Sequence, residues 1–182
     1  VVGRKAAQRA LDRLGPKKVQ SGRVPVVFEP RVSRSLLGHL ANAISGHVVA
    51  RGTSFLKDSL GEKLFPRGVE IVDDPHMQRG AASKPFDGEG VANRTLTVIS
   101  DGELRSWLLD SASARQLSLE TTGHSARGVS GPPVPSHTNL YLIAGSCSFK
   151  ELINDIQTGF YGTELIGFGV NGVTGDYSRG AS

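Results

Sequence analysis

Residues 94–109 read RTLTVISDGELRSWLL, and this stretch decides the fold class. Two runs rich in β-branched and apolar residues flank the dipeptide Asp101-Gly102. That dipeptide supplies the positive φ angles that a two-residue type I′ turn requires. The stretch therefore predicts a β-hairpin, the simplest antiparallel unit.

Further helices and strands are predicted on both sides of the hairpin. Apolar spacing or a capping signal predicts helices over 4–14, from Pro30 to beyond Val48, over 111–117 and over 149–157, with a helical turn over 55–60. β-branched runs predict strands over 24–28, 69–74 and 138–144, and the glycine-punctuated tail over 160–182 is predicted to be strand-rich. Glycines and prolines predict a long loop over 121–136.

These elements predict an α+β fold with a mixed, largely antiparallel sheet and packed helices. Helices and strands follow one another without the regular alternation of a parallel sheet. We find no repeat and no domain boundary in the 182 residues, so a single domain over 1–182 is expected. Because the chain opens at Val1 without a methionine and ends without a closing element, we expect that domain to be partial.

The amino-acid composition excludes several classes of protein. Hydrophobic residues make up 38% of the chain, and no apolar run approaches the ~20 residues that cross a bilayer, so we expect a protein without a membrane segment. The single cysteine, Cys147, excludes an internal disulfide and favours the cytoplasm. The net charge of +4 comes without the interleaved aromatic residues of nucleic-acid-binding faces, so nucleic acid is not an expected partner.

Two histidines on the second predicted helix raise the question of a metal site. His39 and His47 are eight positions apart, which is ~12 Å along a helix axis. Zinc–nitrogen bonds are about 2 Å long, so the two imidazoles cannot share one ion. We interpret both as ordinary helix residues.

Four other patterns favour ordinary structural roles. The glycines of 167–172 match a dinucleotide-binding loop, but no helix is predicted after them. Residues 123–128 miss the nucleophile pattern Gly-x-Ser-x-Gly by one position, and Cys147 has no placed base. Asp87 and Glu89 begin like a calcium loop that lacks its twelfth-position glutamate.

Several stretches, taken together and in order, resemble the TldD/PmbA family, and more narrowly its PmbA (TldE) branch. They are RGTSFLKDSLGEKLF, IVDDP, PFDGEG, LLDSASARQL, TGHSARG, TNLYL and ELIGFGVNGVTGDYSRGAS. The resemblance implies the central and C-terminal region of a bacterial cytosolic metallopeptidase of two related subunits. Its known roles include trimming a microcin leader and degrading an unfolded antitoxin, and an older name is modulator of DNA gyrase.

The resemblance also implies where the catalytic motif would lie. The catalytic branch carries His-Glu-x-x-x-His before Arg-Gly-Thr-Ser, and counting back from Arg51 places its functional positions on Leu37, Gly38 and Asn42. Leucine and glycine have no ligand atom, and an asparagine amide is a poor zinc ligand. The third ligand of that branch comes from a later cysteine segment, to which nothing in this chain corresponds.

We therefore expect a metal-free, non-catalytic subunit that completes a peptide-binding chamber. Its expected partners are a zinc-bearing TldD-like subunit in a heterodimer, or a second copy in a homodimer, together with a peptide substrate. Candidate contacts with substrate or partner are Arg51, Asp87, Glu89, His124, Asn139 and Asn171.

Two alternatives stay open at this point. The chain could be an enzyme in its own right, with His124 and His137 binding a metal together with Asp87 or Glu89. It could instead be a DNA gyrase-associated regulator, which its net charge of +4 would suit.

Overall fold

The computed structural model describes residues 1–181, and Ser182, the end of the predicted strand-rich tail, lies outside the described residues. The helices are α1 (Val2–Leu11), α2 (Pro30–Ala43), α3 (Gly46–Ala50), α4 (Ser111–Gln116) and α5 (Phe149–Asn154). The strands are β1 (Val26–Phe28), β2 (Ile71–Asp73), β3 (Leu96–Ser100), β4 (Glu103–Leu104), β5 (Ser125–Ala126), β6 (Val134–Pro135), β7 (Leu140–Leu142), β8 (Phe160–Gly162), β9 (Leu165–Val170) and β10 (Tyr177–Ala181).

The predicted hairpin is present as β3 and β4. Asp101 and Gly102 adopt φ angles of 49° and 83°, as a type I′ turn requires. A Cβ on Gly102 would lie 2.2 Å from the carbonyl oxygen of Phe65, so only glycine fits there. The second strand is shorter than predicted, because the chain leaves the ladder after Leu104 and buries Trp107 with its two following leucines in the core.

The hairpin forms half of a four-stranded sheet of order β4-β3-β2-β7, in which all neighbouring strands are antiparallel. Three two-stranded pairs accompany it. β9 and β10 are antiparallel, β5 and β6 are antiparallel, and β1 pairs with β8 in parallel. The α+β prediction with a mixed, largely antiparallel sheet is confirmed.

The long second helix is not continuous, and this prediction was wrong. α2 ends at Ala43, Ile44 and Ser45 leave helical geometry, and α3 begins at Gly46. At the break, the Ile44 carbonyl accepts a hydrogen bond from the Leu108 amide, and the Gly46 amide donates to the Leu108 carbonyl. Pairing with a distant segment therefore replaces the helical hydrogen bonds.

One core joins these helices to the sheet. Its buried members are Ala41, Ala43, Ile44, Val49, Leu56, Ile71, Val98, Ile99, Leu104, Trp107, Leu108, Leu109 and Ala114. α1 contributes no buried residue. No helix within residues 1–181 combines the length and apolar character needed to cross a membrane.

The segment 121–136 is also more regular than predicted. Residues 125–126 and 134–135 form the short antiparallel pair β5–β6, and His124 and Ser125 are fully buried. The capping boxes of α4 and α5 form as side-chain and backbone hydrogen bonds, at Asp110 with Ser113 and at Ser148 with Glu151.

Candidate functional site

A cavity of about 750 Å³ lies between α2 and the β9–β10 hairpin. Most of its lining is apolar or aromatic, and no aspartate or glutamate of the described residues contributes to it. A concave apolar site of this size with a few polar groups is typical of a ligand site. Its lining residues are Leu36, His39, Leu40, Asn42, Ala43, Val48, Thr53, Phe55, Leu56, Leu64, Phe65, Phe168, Val170, Asn171, Gly172, Gly175, Tyr177 and Arg179.

Strand alternation explains which side chains of the β9–β10 hairpin line the cavity. Phe168 and Val170 are two apart on β9, and Tyr177 and Arg179 are two apart on β10, so each pair shares a face. The glycine between the first pair lets β10 approach, since a Cβ on Gly169 would lie 2.3 Å from the Ser178 carbonyl oxygen.

The hairpin contains a β-bulge opposite Arg179. Ser178 pairs with Gly169 and Gly180 pairs with Ile166, so two residues of β9 oppose the single residue Arg179. Gly167 occupies the bulge with φ 91°, a conformation that favours glycine. Bulges of this kind re-aim side chains, and here Phe168 stands 98% exposed on the cavity rim.

The tip of the hairpin is fastened to the segment after α3. The Phe55 amide donates to the Gly172 carbonyl at 2.9 Å, and the Phe55 ring packs against Gly175, where a Cβ would lie 2.9 Å from the ring. The Asn171 side chain closes the turn by accepting from the amides of Val173 and Thr174. The predicted contact residue Asn171 therefore lines the cavity and also shapes its wall.

The polar end of the cavity is formed by three side chains from two elements. The His39 ring contacts the Tyr177 ring edge to face, with centroids 5.7 Å apart. His39 Nε2 also lies 3.5 Å from Arg179 Nη2. α2 thus supplies an imidazole to the site, but at a position outside the family's metal motif.

The positions matching the lost metal motif have three different environments. Leu37 packs against the hydrophobic core. A Cβ on Gly38 would meet no atom within 4 Å, and Asn42 is exposed on the cavity wall. The residues present therefore do not fit a zinc ion, because the three positions offer a single amide as donor.

A second polar cluster is buried away from the cavity, around Asp73 at the end of β2. The Asp73 carboxylate lies 3.0 Å from His124 Nε2 and accepts from the Thr138 amide at 2.8 Å and from the Thr138 hydroxyl. Burial raises the pKa of Asp73, but the hydrogen bonds from His124 and Thr138 together with the charge of His124 outweigh it, so the pKa is lowered.

The predicted contact His124 belongs to this buried cluster and not to the cavity. Its Nδ1 lies 2.8 Å from the Thr122 carbonyl oxygen, so both ring nitrogens face protein oxygens. Within residues 1–181, no group of three or more histidine, cysteine, aspartate or glutamate side chains is placed to hold a metal ion. Within the same residues, the suggested ligand set of His124, His137 and Asp87 or Glu89 is therefore not assembled.

The remaining predicted contacts lie in turns outside the cavity. Asp87 is buried and accepts from the amides of Glu89, Val91 and Ser125. Glu89 accepts from the Ser111 amide at the start of α4. Asn139 bridges two loops by donating to the Asp74 carbonyl and accepting from the Ala82 amide, and Arg51 is exposed at the end of α3.

Sequence reasoning missed most of the cavity wall. Phe55, Phe168, Tyr177 and Arg179 were not singled out as site residues. The available signal was the period-two spacing of Phe168 with Val170 and of Tyr177 with Arg179 within the glycine-rich tail. Nothing in the local sequence predicts which face of the hairpin contacts α2.

Comparisons with known proteins agree on one family. Residues 21–182 match the family described as PmbA/TldA metallopeptidase C-terminal domain. The chain is 44% identical to metalloprotease PmbA from Escherichia coli O157:H7, over all of this chain and 38% of that protein. It is 28% identical to a metalloprotease TldD homolog from Haemophilus influenzae, over 96% of this chain and 36% of that protein.

Solved structures share the fold. A crystal structure from Thermotoga maritima, named as a modulator of a DNA gyrase, superposes with a TM-score of 0.87 at 32% identity, covering 98% of this chain and 41% of that one. TldE from Thermococcus kodakarensis superposes with a TM-score of 0.78 at 23% identity, covering 91% and 38%. At that identity the second match supports the fold alone.

The chain spans 38% of the length of the Escherichia coli relative. The resemblance to the TldD/PmbA family and its PmbA branch is confirmed by the matches over nearly the whole sequence. The chain belongs to the PmbA/TldA metallopeptidase family, whose C-terminal domain it matches from residue 21 to residue 182.

Proposed function

We propose that this chain is part of a metal-free, non-catalytic subunit of a TldD/TldE-type metalloprotease complex. The proposal rests on the three residues found at the positions of the metal motif. Leu37 packs into the core, Gly38 has no side chain, and Asn42 offers an amide to the cavity. A zinc site needs three protein ligands, and a peptidase also needs a base to activate water. The catalytic zinc then belongs to a TldD-like partner.

The role of the subunit is to hold extended substrate. The cavity of about 750 Å³ has room for bulky apolar side chains of a peptide. Two strand edges are available to pair with an extended backbone, namely β7 at the end of the four-stranded sheet and the β9–β10 hairpin. Apolar pockets beside an open strand edge suit unfolded chains better than folded ones, because only an extended backbone can pair with the edge.

The finer parts of the proposal follow the family. The partner is a TldD-like subunit in a cytoplasmic heterodimer, with a homodimer forming where that partner is missing. Substrates are leader segments and unfolded chains, such as a microcin precursor. Relatives named TldD homolog and TldE support the existence of two related subunits.

The test is a cleavage assay on the intact protein that contains this chain. An unfolded peptide substrate is incubated with the purified subunit, with its TldD-like partner, and with both, in the presence or absence of EDTA. We expect EDTA-sensitive cleavage only when the partner is present. Metal-dependent cleavage by the subunit alone, in preparations free of the partner, would refute the proposal.

Matched substitutions assign the chemistry to one subunit. Replacing the motif glutamate of the partner with glutamine should abolish cleavage by the pair. Gly38→Ala in this chain should leave cleavage unchanged, because a Cβ there meets no atom within 4 Å. A large loss of cleavage with Gly38→Ala would contradict the absence of a catalytic role at this position.

A second candidate, a DNA gyrase-associated regulator, is favoured by the name of the Thermotoga maritima structure and by the exposed basic residues of α1. Regulation through DNA predicts an affinity that falls steeply as salt rises. Measuring DNA binding over a salt series separates the two candidates, and we expect weak binding with a shallow slope.

A further inference from the structure

The guanidinium of Arg179 lies at the cavity wall without an acidic partner. No salt bridge among residues 1–181 includes Arg179. Its Nε is buried and has no hydrogen-bond partner there, and its Nη2 has only the 3.5 Å contact with His39. Buried polar atoms without partners are rare in folded proteins, so this donor set points to a ligand that accepts hydrogen bonds.

Arg179 also lines a smaller depression whose acidic residue is already engaged. Glu164 lies in that lining, but it pairs with Arg13. The main cavity itself has no aspartate or glutamate in its lining. Arg179 therefore gives the cavity a positive charge that no carboxylate of residues 1–181 neutralises.

The position of Arg179 is set by the hairpin. The bulge at Gly167 places Phe168 and Arg179 across from each other, and the edge-to-face pair of Tyr177 and His39 stands beside the guanidinium. An aromatic, apolar cavity with one cation at its wall complements a ligand that carries an apolar group and an anion close together. Arginine binds carboxylates through two parallel hydrogen bonds, which suits this fork of free donors.

We infer that Arg179 determines specificity by binding a carboxylate of the extended peptide whose apolar side chain fills the cavity. This inference rests on the proposed peptide-holding function and adds the chemistry of the preferred peptide. Two sources supply the group, namely an acidic side chain next to a bulky apolar residue, or the free C-terminus of the peptide.

The test compares matched peptides by fluorescence anisotropy with the intact protein. One labelled peptide carries phenylalanine near an aspartate, the second has asparagine in place of the aspartate, and both end in an amide. The third has the asparagine and a free C-terminal carboxylate. We expect the aspartate peptide or the free-carboxylate peptide to bind about tenfold tighter than the neutral one, as a charge-assisted pair at a partly exposed site predicts.

Variants identify the residue responsible. Arg179→Gln should remove the discrimination between charged and neutral peptides, while Arg179→Lys should keep part of it. Arg105→Gln lowers the net charge by the same amount at an arginine paired with Glu103 outside the cavity, and should leave the discrimination unchanged. Equal binding of all three peptides to the wild type, or full discrimination in Arg179→Gln, would overturn the inference.

The result is separable from the proposed function. Binding is measured without the catalytic partner, so it does not depend on where cleavage occurs. If the subunit alone cleaves peptide, the non-catalytic assignment fails, and the Asp-against-Asn comparison still reports on Arg179. If discrimination is absent while cleavage needs the partner, only the inference about Arg179 fails.

Discussion

The carboxylate of Asp73 connects three segments of the chain that are distant in sequence. It ends β2, accepts two hydrogen bonds from Thr138 just before β7, and contacts His124 just before β5. Both Asp73 and His124 are fully buried. A buried pair contributes little in total, but removing one partner leaves an unpaired polar group and is strongly destabilising.

The lowered pKa of Asp73 predicts a loss of stability in acid. In the unfolded chain this carboxyl takes up a proton near pH ~4, whereas in the folded chain it stays charged to lower pH. The unfolded state therefore binds more protons than the folded state as pH falls below about 4. The stability that Asp73 contributes is complete above that pH and is lost as pH falls through the pKa of the folded state. Urea unfolding from pH 3 to 7 measures this decline.

Two substitutions isolate the contribution of Asp73. Asp73→Asn should lower the free energy of unfolding by about 3 kcal/mol at neutral pH and flatten the decline in acid. Asp58→Asn, at an exposed side chain, should change neither. An unaltered acid profile in Asp73→Asn would contradict the assigned cause.

Single residues were predicted unevenly from sequence. Asn42 and Asn171 were selected as site positions and do line the cavity. His124 was selected as a contact, yet it is buried against a residue 51 positions away. Arg179 was missed because its placement depends on a bulge formed by pairing with β9. The local sequence does not predict such distant partners.

At the scale of elements, the junction between α2 and α3 shows how tertiary contacts override a helical pattern. Ile44 is fully buried and its carbonyl accepts a hydrogen bond from the Leu108 amide, while the Leu108 carbonyl accepts from the Gly46 amide. Gly46 then starts α3 so close to α4 that a Cβ would lie 2.5 Å from Ser113 Oγ and 2.6 Å from Leu109 Cδ2. The break thus lets two short helices pack at contact distance.

Alanine at two helical glycines should have opposite effects. Gly46→Ala should destabilise the chain by about 1–3 kcal/mol, because the added methyl overlaps buried neighbours. Gly38→Ala should stabilise it by up to about 1 kcal/mol, because it raises helix propensity in open space. Chemical denaturation of both variants measures the difference. Equal effects would contradict the close packing of α3 on α4.

Elements with local signals were predicted well. The β3–β4 turn and the capping box of Ser148 with Glu151 depend on residues within three or four positions of each other, so the local sequence is enough to predict them. The pair β5–β6 was missed because each strand has two residues, and its backbone pairing is supported by tertiary contacts of His124 and Ser125.

At the scale of the whole molecule, the cavity exists because the end of the chain folds back over α2. Its walls come from residues 36–65 and from residues 168–179, and the hydrogen bond from Phe55 to Gly172 joins them. The shape of the space between them was beyond sequence reasoning, since it depends on the twist and bulge of the hairpin.

The metal-free assignment makes a prediction about the whole protein. Adding one equivalent of zinc, or EDTA, should leave the thermal unfolding temperature of the intact subunit unchanged. A ligand that binds only the folded state raises that temperature, so a TldD-like partner should respond to both treatments. Stoichiometric zinc in the purified subunit, with a lower unfolding temperature in EDTA, would contradict the assignment.

The parallel pair β1–β8 joins residues 26–28 to residues 160–162, close to opposite ends of the chain. The entropy cost of closing a loop rises with its length, so we expect this pair to form after the β3–β4 hairpin. Residues 160–162 must therefore be synthesised before β1 can pair with β8. Residues 168–179 of the cavity wall follow later in the sequence, so the cavity is complete only after they have been added.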